Sequence, residues 1–216
     1  VRRGMCADSR IGNKFLYPGL GYGGSCFPKD VLACISMGQL ADRPAALLEA
    51  VHRVNQDQRQ RFLAKIDAHF GAADPGRPAD LTGKRLAVWG IAFKPGTDDI
   101  REAPAITLMQ ALLERGAEVV AHDPVAHETA QQVLGDRIVY RDTPFDAVDQ
   151  ADALVVCTDW DEFKRPELDD LRARMRQPVV FDGRNLYRLE TMQEAGFIYY
   201  SVARAPVHPV PTEAVQ

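Results

Sequence analysis

Apolar residues in the first part of the chain recur at helical spacing. The pattern predicts one helix over Val31 to Leu40 and a longer one over Arg43 to Phe70, which contains a polar stretch from Asn55 to Arg61. Glycine, alanine, proline and aspartate then dominate, as is typical of a linker. We therefore expect residues 1–70 to form part of a central helical domain, followed by a linker over 71–83.

Beyond the linker, short continuous apolar runs alternate with amphipathic segments. Alternation of this kind predicts a parallel sheet covered by helices on both faces. The fold class is therefore α/β, with a Rossmann-like domain over 84–203 and an irregular proline-containing tail over 204–216. The expected strands are Leu86–Trp89, Glu118–Ala121, Ile138–Tyr140, Ala153–Cys157, Val179–Phe181 and Phe197–Tyr200, and the expected helices are Ala103–Arg115, Val125–Leu134 and Leu186–Ala195.

Composition and charge narrow the possible partners. The 216 residues are 46% hydrophobic and 26% charged, which is typical of a globular protein. A net charge of −4 gives no sign of nucleic-acid binding, and no apolar run approaches the length of a membrane span. The four cysteines form no CxxC pair, which favours a reducing, cytoplasmic setting. The five histidines show no metal-ligand spacing, so we expect no metal site.

The decapeptide GYGGSCFPKD, residues 21–30, carries the strongest chemical signal. Its glycines allow a close backbone approach, and Pro28 is suited to the first turn of a helix. Cys26 would then lie at a helix N-terminus, where the helix dipole and the charge of Lys29 favour a thiolate. Asp30 follows one turn later and could act as a base. A buried cysteine in a glycine-rich turn is the alternative, but these features together favour a nucleophile.

Two cationic loops follow predicted strands. The loop from Gly90 to Arg101 carries Lys94 and lacks the close-spaced glycines of a dinucleotide fingerprint, and Arg184 follows the strand that begins at Val179. Ligands of such sheets bind beyond the carboxyl ends of the strands, so these cations suit a diphosphate. The alternatives are solvated surface charges for Lys94 and Arg101 and a structural salt bridge for Arg184.

Four segments, residues 8–16, 21–30, 88–104 and 181–185, resemble motifs of the UDP-glucose/GDP-mannose dehydrogenase family, and within it of the UDP-glucose 6-dehydrogenases. The resemblance implies a two-step, NAD-dependent oxidation of UDP-glucose to UDP-glucuronate. Cys26 would carry a thiohemiacetal and then a thioester, and Asp30 would help to activate water. Lys29 and Arg101 would meet NAD, and Arg10 would reach the substrate of the partner in a homodimer. The other substrate-binding residues implied are Phe15, Leu16, Tyr17, Tyr22, Gly23, Phe93, Lys94 and Arg184.

The family also carries an N-terminal NAD-binding Rossmann domain, and no GxGxxG follows a predicted strand in this sequence. We therefore expect a C-terminal portion that binds UDP-glucose through its Rossmann-like domain and is inactive by itself. Two alternatives stay open: a dehydrogenase of another nucleotide sugar, such as GDP-mannose, or a non-catalytic module for nucleotide-sugar binding or dimerisation. Ser25 favours UDP-glucose, because relatives that oxidise N-acetylated sugars tend to have histidine there.

Overall fold

The computed structural model describes residues 1–13, 16–71 and 77–209. Six strands form one sheet: β1 (Arg85–Trp89), β2 (Glu118–His122), β3 (Val139–Tyr140), β4 (Ala153–Val156), β5 (Val179–Asp182) and β6 (Ile198–Ser201). The α-helices are α1 (Arg2–Cys6), α2 (Phe27–Leu40), α3 (Ala46–His69), α4 (Pro104–Glu114), α5 (His127–Leu134), α6 (Pro144–Val148), α7 (Leu168–Arg174) and α8 (Leu189–Glu194).

All strand pairs are parallel, in the order β3-β2-β1-β4-β5-β6. This is the doubly wound Rossmann order, and it confirms the predicted α/β class. Every residue of β4 and β5 is buried, because helices cover both faces of the sheet. The strand order reverses between β1 and β4, so the loops that follow these strands diverge and leave a crevice at the carboxyl edge.

Two buried carboxylates explain why two helices begin later than the sequence pattern predicted. Asp123 accepts the N–H groups of Val125 and Ala126, so α5 begins at His127. Asp182 accepts those of Leu186 and Tyr187 in the same way, so α8 begins only at Leu189. These side-chain bonds replace the first helical turn. The short helices α1, α6 and α7 were not predicted.

Helix α3 connects the helical part of the chain to the sheet. Phe62, Leu63 and Ile66 on α3 belong to the main hydrophobic core, and Lys65 Nζ donates to the carbonyl of Ser201 at 2.8 Å. Asp67 receives two hydrogen bonds from Arg115. None of the helices in the described ranges is long and apolar enough to cross a bilayer.

The segments assigned to the linker and the tail are partly in contact with the core. Ala79 and Leu81 are buried, and the N–H of Ala79 donates to Asp67 at 3.0 Å. In the tail, Val207 forms an antiparallel bridge with Tyr199. Residues 72–76 and 210–216 lie outside the described part of the chain.

Candidate functional site

Cys26 is the N-cap residue of α2, as the sequence predicted, although the helix begins at Phe27 rather than at Val31. Its carbonyl accepts the first helical bond, from the N–H of Asp30 at 2.9 Å. The thiol is exposed, and its Sγ lies 3.7 Å from Ser25 Oγ. Lys29 and Asp30 are exposed as well, with 3.7 Å between Nζ and Oδ1.

We call residues 21–26 the Cys26 loop and residues 90–103, between β1 and α4, the Lys94 loop. The glycines of the Cys26 loop allow it to pack directly on the Lys94 loop. Gly24 donates its N–H to the carbonyl of Arg101 at 2.9 Å. A β-carbon at Gly24 would lie 2.9 Å from the Phe93 ring, and one at Gly23 would collide with the carbonyl of Glu102. Gly24 also has a φ of 88°, which other residues rarely adopt. These glycines therefore bring the two predicted motifs together.

A cavity of about 530 Å³ lies between these two loops. Gly23 and Cys26 line one side of it, and Phe93 and Lys94 line the other. Lys94 Nζ lies 5.3 Å from the centre of the Phe93 ring, within the range of a cation–π contact. A ligand in this cavity would contact the thiol and an ammonium group at once.

Lys94 also lines a second cavity, of about 890 Å³, at the carboxyl edge of the sheet. Arg184 lines it from the turn after β5, and Lys164 and Arg165 line it from the loop after β4. The four cationic side chains outnumber the one carboxylate on the wall, that of Asp159, and this excess favours a ligand with more than one negative charge. Arg184 does form a salt bridge, to Asp159 at 2.9 Å, yet it remains on the cavity wall. Lys164 and Arg165 were not predicted from the sequence, because no strand-end motif marks them.

Buried Asp182 holds the turn that carries Arg184. It accepts hydrogen bonds from the N–H groups of Arg184, Leu186 and Tyr187 and from the Tyr199 hydroxyl. Burial raises the pKa of Asp182, and the hydrogen bonds oppose that rise. The position of Arg184 is thus set by the end of β5.

Arg101 lies beside the thiol, on the loop after β1. It donates to Asp99 at 2.9 and 2.8 Å, and these hydrogen bonds raise its pKa, with a smaller contribution from the charge of Cys26. The same contacts hold the pKa of the Asp99 carboxyl below its ordinary value. The Cys26 loop packs on the stretch of chain just before α4, through the Gly24 N–H and through the close approach of Gly23 to the Glu102 carbonyl. The side chains of Lys29 and Arg101 are both largely exposed.

The remaining predicted residues lie at different distances from the cavities. Tyr17 lines the larger cavity, with the Arg2 guanidinium 4.3 Å from its ring centre, and the Tyr22 ring packs edge-on against Phe27. Leu16 is half-buried and is not among the residues that line either cavity. The Arg10 side chain is 87% exposed and pairs with Asp8. Phe15 lies outside the described residues.

Three polar residues that the sequence analysis left as part of a polar stretch contact the site. Asn55, Gln58 and Arg59, on one face of α3, all bond to the backbone at or just before the start of the Cys26 loop. Their helical spacing was a usable signal. No group of three or more acidic, histidine or cysteine side chains in the described residues is placed to hold a metal ion.

Comparisons with known proteins identify the family to which the chain is similar. Two family profiles match: the UDP-glucose/GDP-mannose dehydrogenase family, central domain, over residues 1–57, and the same family's UDP binding domain over 87–189. A UDP-glucose 6-dehydrogenase of Pseudomonas aeruginosa is 44% identical over 94% of this chain, and one of Haloferax volcanii is 49% identical over 83%. A UDP-glucose dehydrogenase structure from Pyrobaculum islandicum superposes with a TM-score of 0.77 at 36% identity over 94% of this chain.

The chain spans 45% of the Pseudomonas protein, 39% of the Haloferax protein and 43% of the Pyrobaculum chain. The two profiles follow each other in chain order. The first covers the Cys26 loop, and the second covers the loops that carry Lys94 and Arg184. The chain therefore belongs to the UDP-glucose/GDP-mannose dehydrogenase family.

Proposed function

We propose that this chain provides the thiol nucleophile and the nucleotide-sugar site for the NAD-dependent oxidation of UDP-glucose to UDP-glucuronate. One observation carries the proposal: the cavity that contains Cys26 adjoins the four-cation cavity through the shared wall residue Lys94. A ligand with a diphosphate between its two ends fits this arrangement. UDP-glucose is favoured over GDP-mannose because the similar relatives are UDP-glucose 6-dehydrogenases.

In this proposal the larger cavity binds the diphosphate. Lys94 and Arg184 donate charge-assisted hydrogen bonds to its oxygens, and Lys164 and Arg165 add positive charge nearby. The glucose then extends past Lys94 and Phe93 towards Cys26. Binding energy from the nucleotide end thereby holds the reacting carbon against the thiol.

The thiol explains how one site performs two oxidations. Two NAD molecules, bound one after the other, would supply the hydride acceptors, one for each oxidation. The primary alcohol loses a hydride and a proton and becomes an aldehyde. The Cys26 thiolate adds to the aldehyde carbon, and the oxygen takes up a proton to give a thiohemiacetal, which is again an alcohol. Loss of a second hydride and proton gives a thioester. Water then releases the carboxylate and restores the thiol.

The neighbouring polar groups have distinct roles in this scheme. Asp30, one helical turn after Cys26, accepts a proton from the hydrolytic water. Lys29 and Arg101 are exposed and would contact NAD. Most of the contacts with NAD would come from other residues. The reaction needs a free thiol, and all four cysteines are free, which suits a reducing cytoplasmic setting.

We also propose the domain division that the sequence suggested, with a central helical part over 1–70 and a UDP-sugar-binding domain over 84–203. Exposed apolar side chains on α2 and α3 support a homodimer through the helical part. Arg10, largely exposed, would then be free to reach the partner's substrate.

Calorimetry with UDP, UDP-glucose, GDP-mannose and NAD tests the binding half of the proposal. We expect UDP-glucose to bind more tightly than GDP-mannose, and NAD to bind negligibly. Lys94→Ala should weaken UDP binding by about 1–3 kcal/mol, the range for a charge-assisted hydrogen bond. Arg61→Ala, at an exposed position of α3, is the matched control. NAD binding tighter than UDP would show that the two nucleotides have been assigned to the wrong sites.

The full-length gene product tests the chemical half. Cys26→Ser should abolish formation of the sugar acid, because a serine alkoxide is much harder to form at neutral pH than a thiolate. UDP-glucose binding should persist in this variant. Sustained NADH production by Cys26→Ser would contradict the covalent mechanism.

A further inference from the structure

Three polar side chains on α3 have no part in the proposed binding or chemistry. Asn55, Gln58 and Arg59 project from one face of the helix, because they lie about one turn apart. Asn55 is buried, and the other two are half-buried. Burial of an amide or a guanidinium group costs free energy unless its polar atoms are hydrogen bonded. Their partners therefore show what the three residues do.

All three bind the main chain at or just before the start of the Cys26 loop. The N–H of Tyr22 donates to Asn55 Oδ1 at 2.7 Å, and Asn55 Nδ2 donates back to the Tyr22 carbonyl at 3.2 Å. Gln58 Nε2 donates to the carbonyl of Gly19 at 3.0 Å. Arg59 Nη2 donates to the Tyr22 carbonyl at 3.2 Å. A β-carbon at Gly21 would collide with Asn55 Oδ1, so glycine is needed for this contact.

Arg59 also reaches the loop that follows β1. Its Nη2 donates to the carbonyl of Glu102 at 3.1 Å, and its Nη1 donates to Thr107 Oγ1 at 3.1 Å. Glu102 has a φ of 52°, a left-handed conformation that a non-glycine residue adopts only when its surroundings hold it. One guanidinium group thus joins the loop that presents Cys26 to the loop that carries Lys94.

We propose that Asn55, Gln58 and Arg59, here called the α3 clamp, are positioning residues. They fix the Cys26 loop relative to the Lys94 loop, so that a ligand held at Lys94 presents its sugar to the thiol. The inference rests on the proposed function, because it needs one ligand to span both cavities. A small displacement between two such loops is enough to lose a reactive geometry.

Alkylation by iodoacetamide, read by mass spectrometry, tests the clamp. Cys34 is exposed on the same helix, α2, and is the internal reference. In the unaltered chain UDP-glucose should slow alkylation of Cys26 and leave that of Cys34 unchanged. In Arg59→Ala we expect UDP-glucose to bind within about threefold of its normal affinity, while its protection of Cys26 falls about tenfold. Arg59→Lys should restore part of the protection, and Arg61→Ala should retain all of it.

The outcomes separate the clamp from the proposed function. If Cys26 of the unaltered chain is not protected by UDP-glucose, the proposed function is overturned, and the clamp with it. If Arg59→Ala and Asn55→Ala are protected as well as the unaltered chain, the clamp alone is overturned. If the affinity for UDP-glucose falls as much as the protection of Cys26 does, the clamp is also overturned, because the residues would then support ligand binding in general. If Arg59→Ala fails to fold, Asn55→Asp takes its place and is judged by the same criteria. This variant has nearly the same shape as the original side chain but lacks the Nδ2 donor to the Tyr22 carbonyl.

Discussion

The helical region, residues 1–70, and the sheet region, residues 84–203, bury their apolar side chains to different extents. In the sheet region the central strands β1, β4 and β5 are almost completely buried, and Leu108, Met109 and Leu112 of α4 are buried in the core. The helical region exposes many large apolar side chains. Among the described residues of the sheet region, the exposed large apolar side chains are those of Val125 and Val133. Those of the helical region are Val1, Met5, Ile11, Tyr17, Phe27, Leu32, Met37, Leu40, Leu47, Val51 and Val54.

This difference shows how the site is divided. The sheet region carries Lys94 and Arg184 at its carboxyl edge. The helical region contacts it through one face of α3 and through the Cys26 loop. The proposed nucleophile therefore lies in the region with many exposed apolar side chains, and the proposed anion site lies in the region with few. In the proposed mechanism one ligand spans both regions, so the hydrogen bonds between them would set the distance from the anion site to the thiol.

The largest expected contrast between the regions is in thiol reactivity. Cys157, in the sheet region, is buried, and burial raises its pKa to about 12. Relative to a thiol at the ordinary value of 9.0, this lowers the thiolate fraction about a thousandfold. Cys26 should therefore be the most rapidly alkylated of the four thiols and Cys157 far slower. Time-resolved iodoacetamide labelling with peptide mapping measures both.

Full unfolding in urea is the control for that contrast, because all four thiols should then react at similar rates. Faster labelling of Cys34 or Cys157 than of Cys26 in the folded chain would count against the N-cap geometry. It would also remove the main reason to regard the helical region as the reactive one.

A smaller contrast is expected in stability. Leu154→Ala removes a completely buried side chain from β4 and should lower the free energy of unfolding by about 2–5 kcal/mol. The matched change Leu40→Ala, at an 87% exposed position on α2, should alter it by less than about 0.5 kcal/mol. Urea unfolding of the two variants makes the comparison. A comparable loss in Leu40→Ala would mean that this face is already covered in solution, as a dimer through α2 would require.

The sheet region was the more predictable of the two from sequence. Continuous apolar runs such as Ala153–Val156 indicate buried parallel strands, because the run is apolar on both faces and too short for a typical buried helix. Helix starts were less predictable, since Asp123 and Asp182 capture nearby N–H groups by contacts that no periodicity reveals. Short helices such as α6 have too few residues to show a period.

The candidate site was predictable only where one motif carried its own chemistry. Cys26 at a helix start and Lys94 at a strand end could be predicted because local sequence sets both positions. The α3 clamp and the cations Lys164 and Arg165 could not, because tertiary packing alone brings them to the site. The glycines in residues 21–24 predicted a close approach of this backbone to another group, but the sequence did not indicate that the group would be the loop with Phe93 and Glu102.

The smallest expected effect concerns the boundary itself. His69, near the end of α3, shares a hydrogen bond with the Tyr200 hydroxyl at 3.1 Å, and burial holds its pKa below the ordinary 6.5. The unfolded chain then binds a proton at a higher pH than the folded chain does. Stability from this site is therefore complete above pH 6.5 and is lost as the pH falls through the lowered value.

His127, in the sheet region, also has a lowered pKa, mainly because of burial, and it contributes to stability with the same dependence on pH. We expect His69→Gln and His127→Gln each to flatten the loss of unfolding free energy between pH 7.5 and 5 in part, by less than the effect of Leu154→Ala. If His69→Gln leaves the slope unchanged while His127→Gln removes it, the contact between α3 and β6 has no role in acid sensitivity, and the sheet region alone accounts for it.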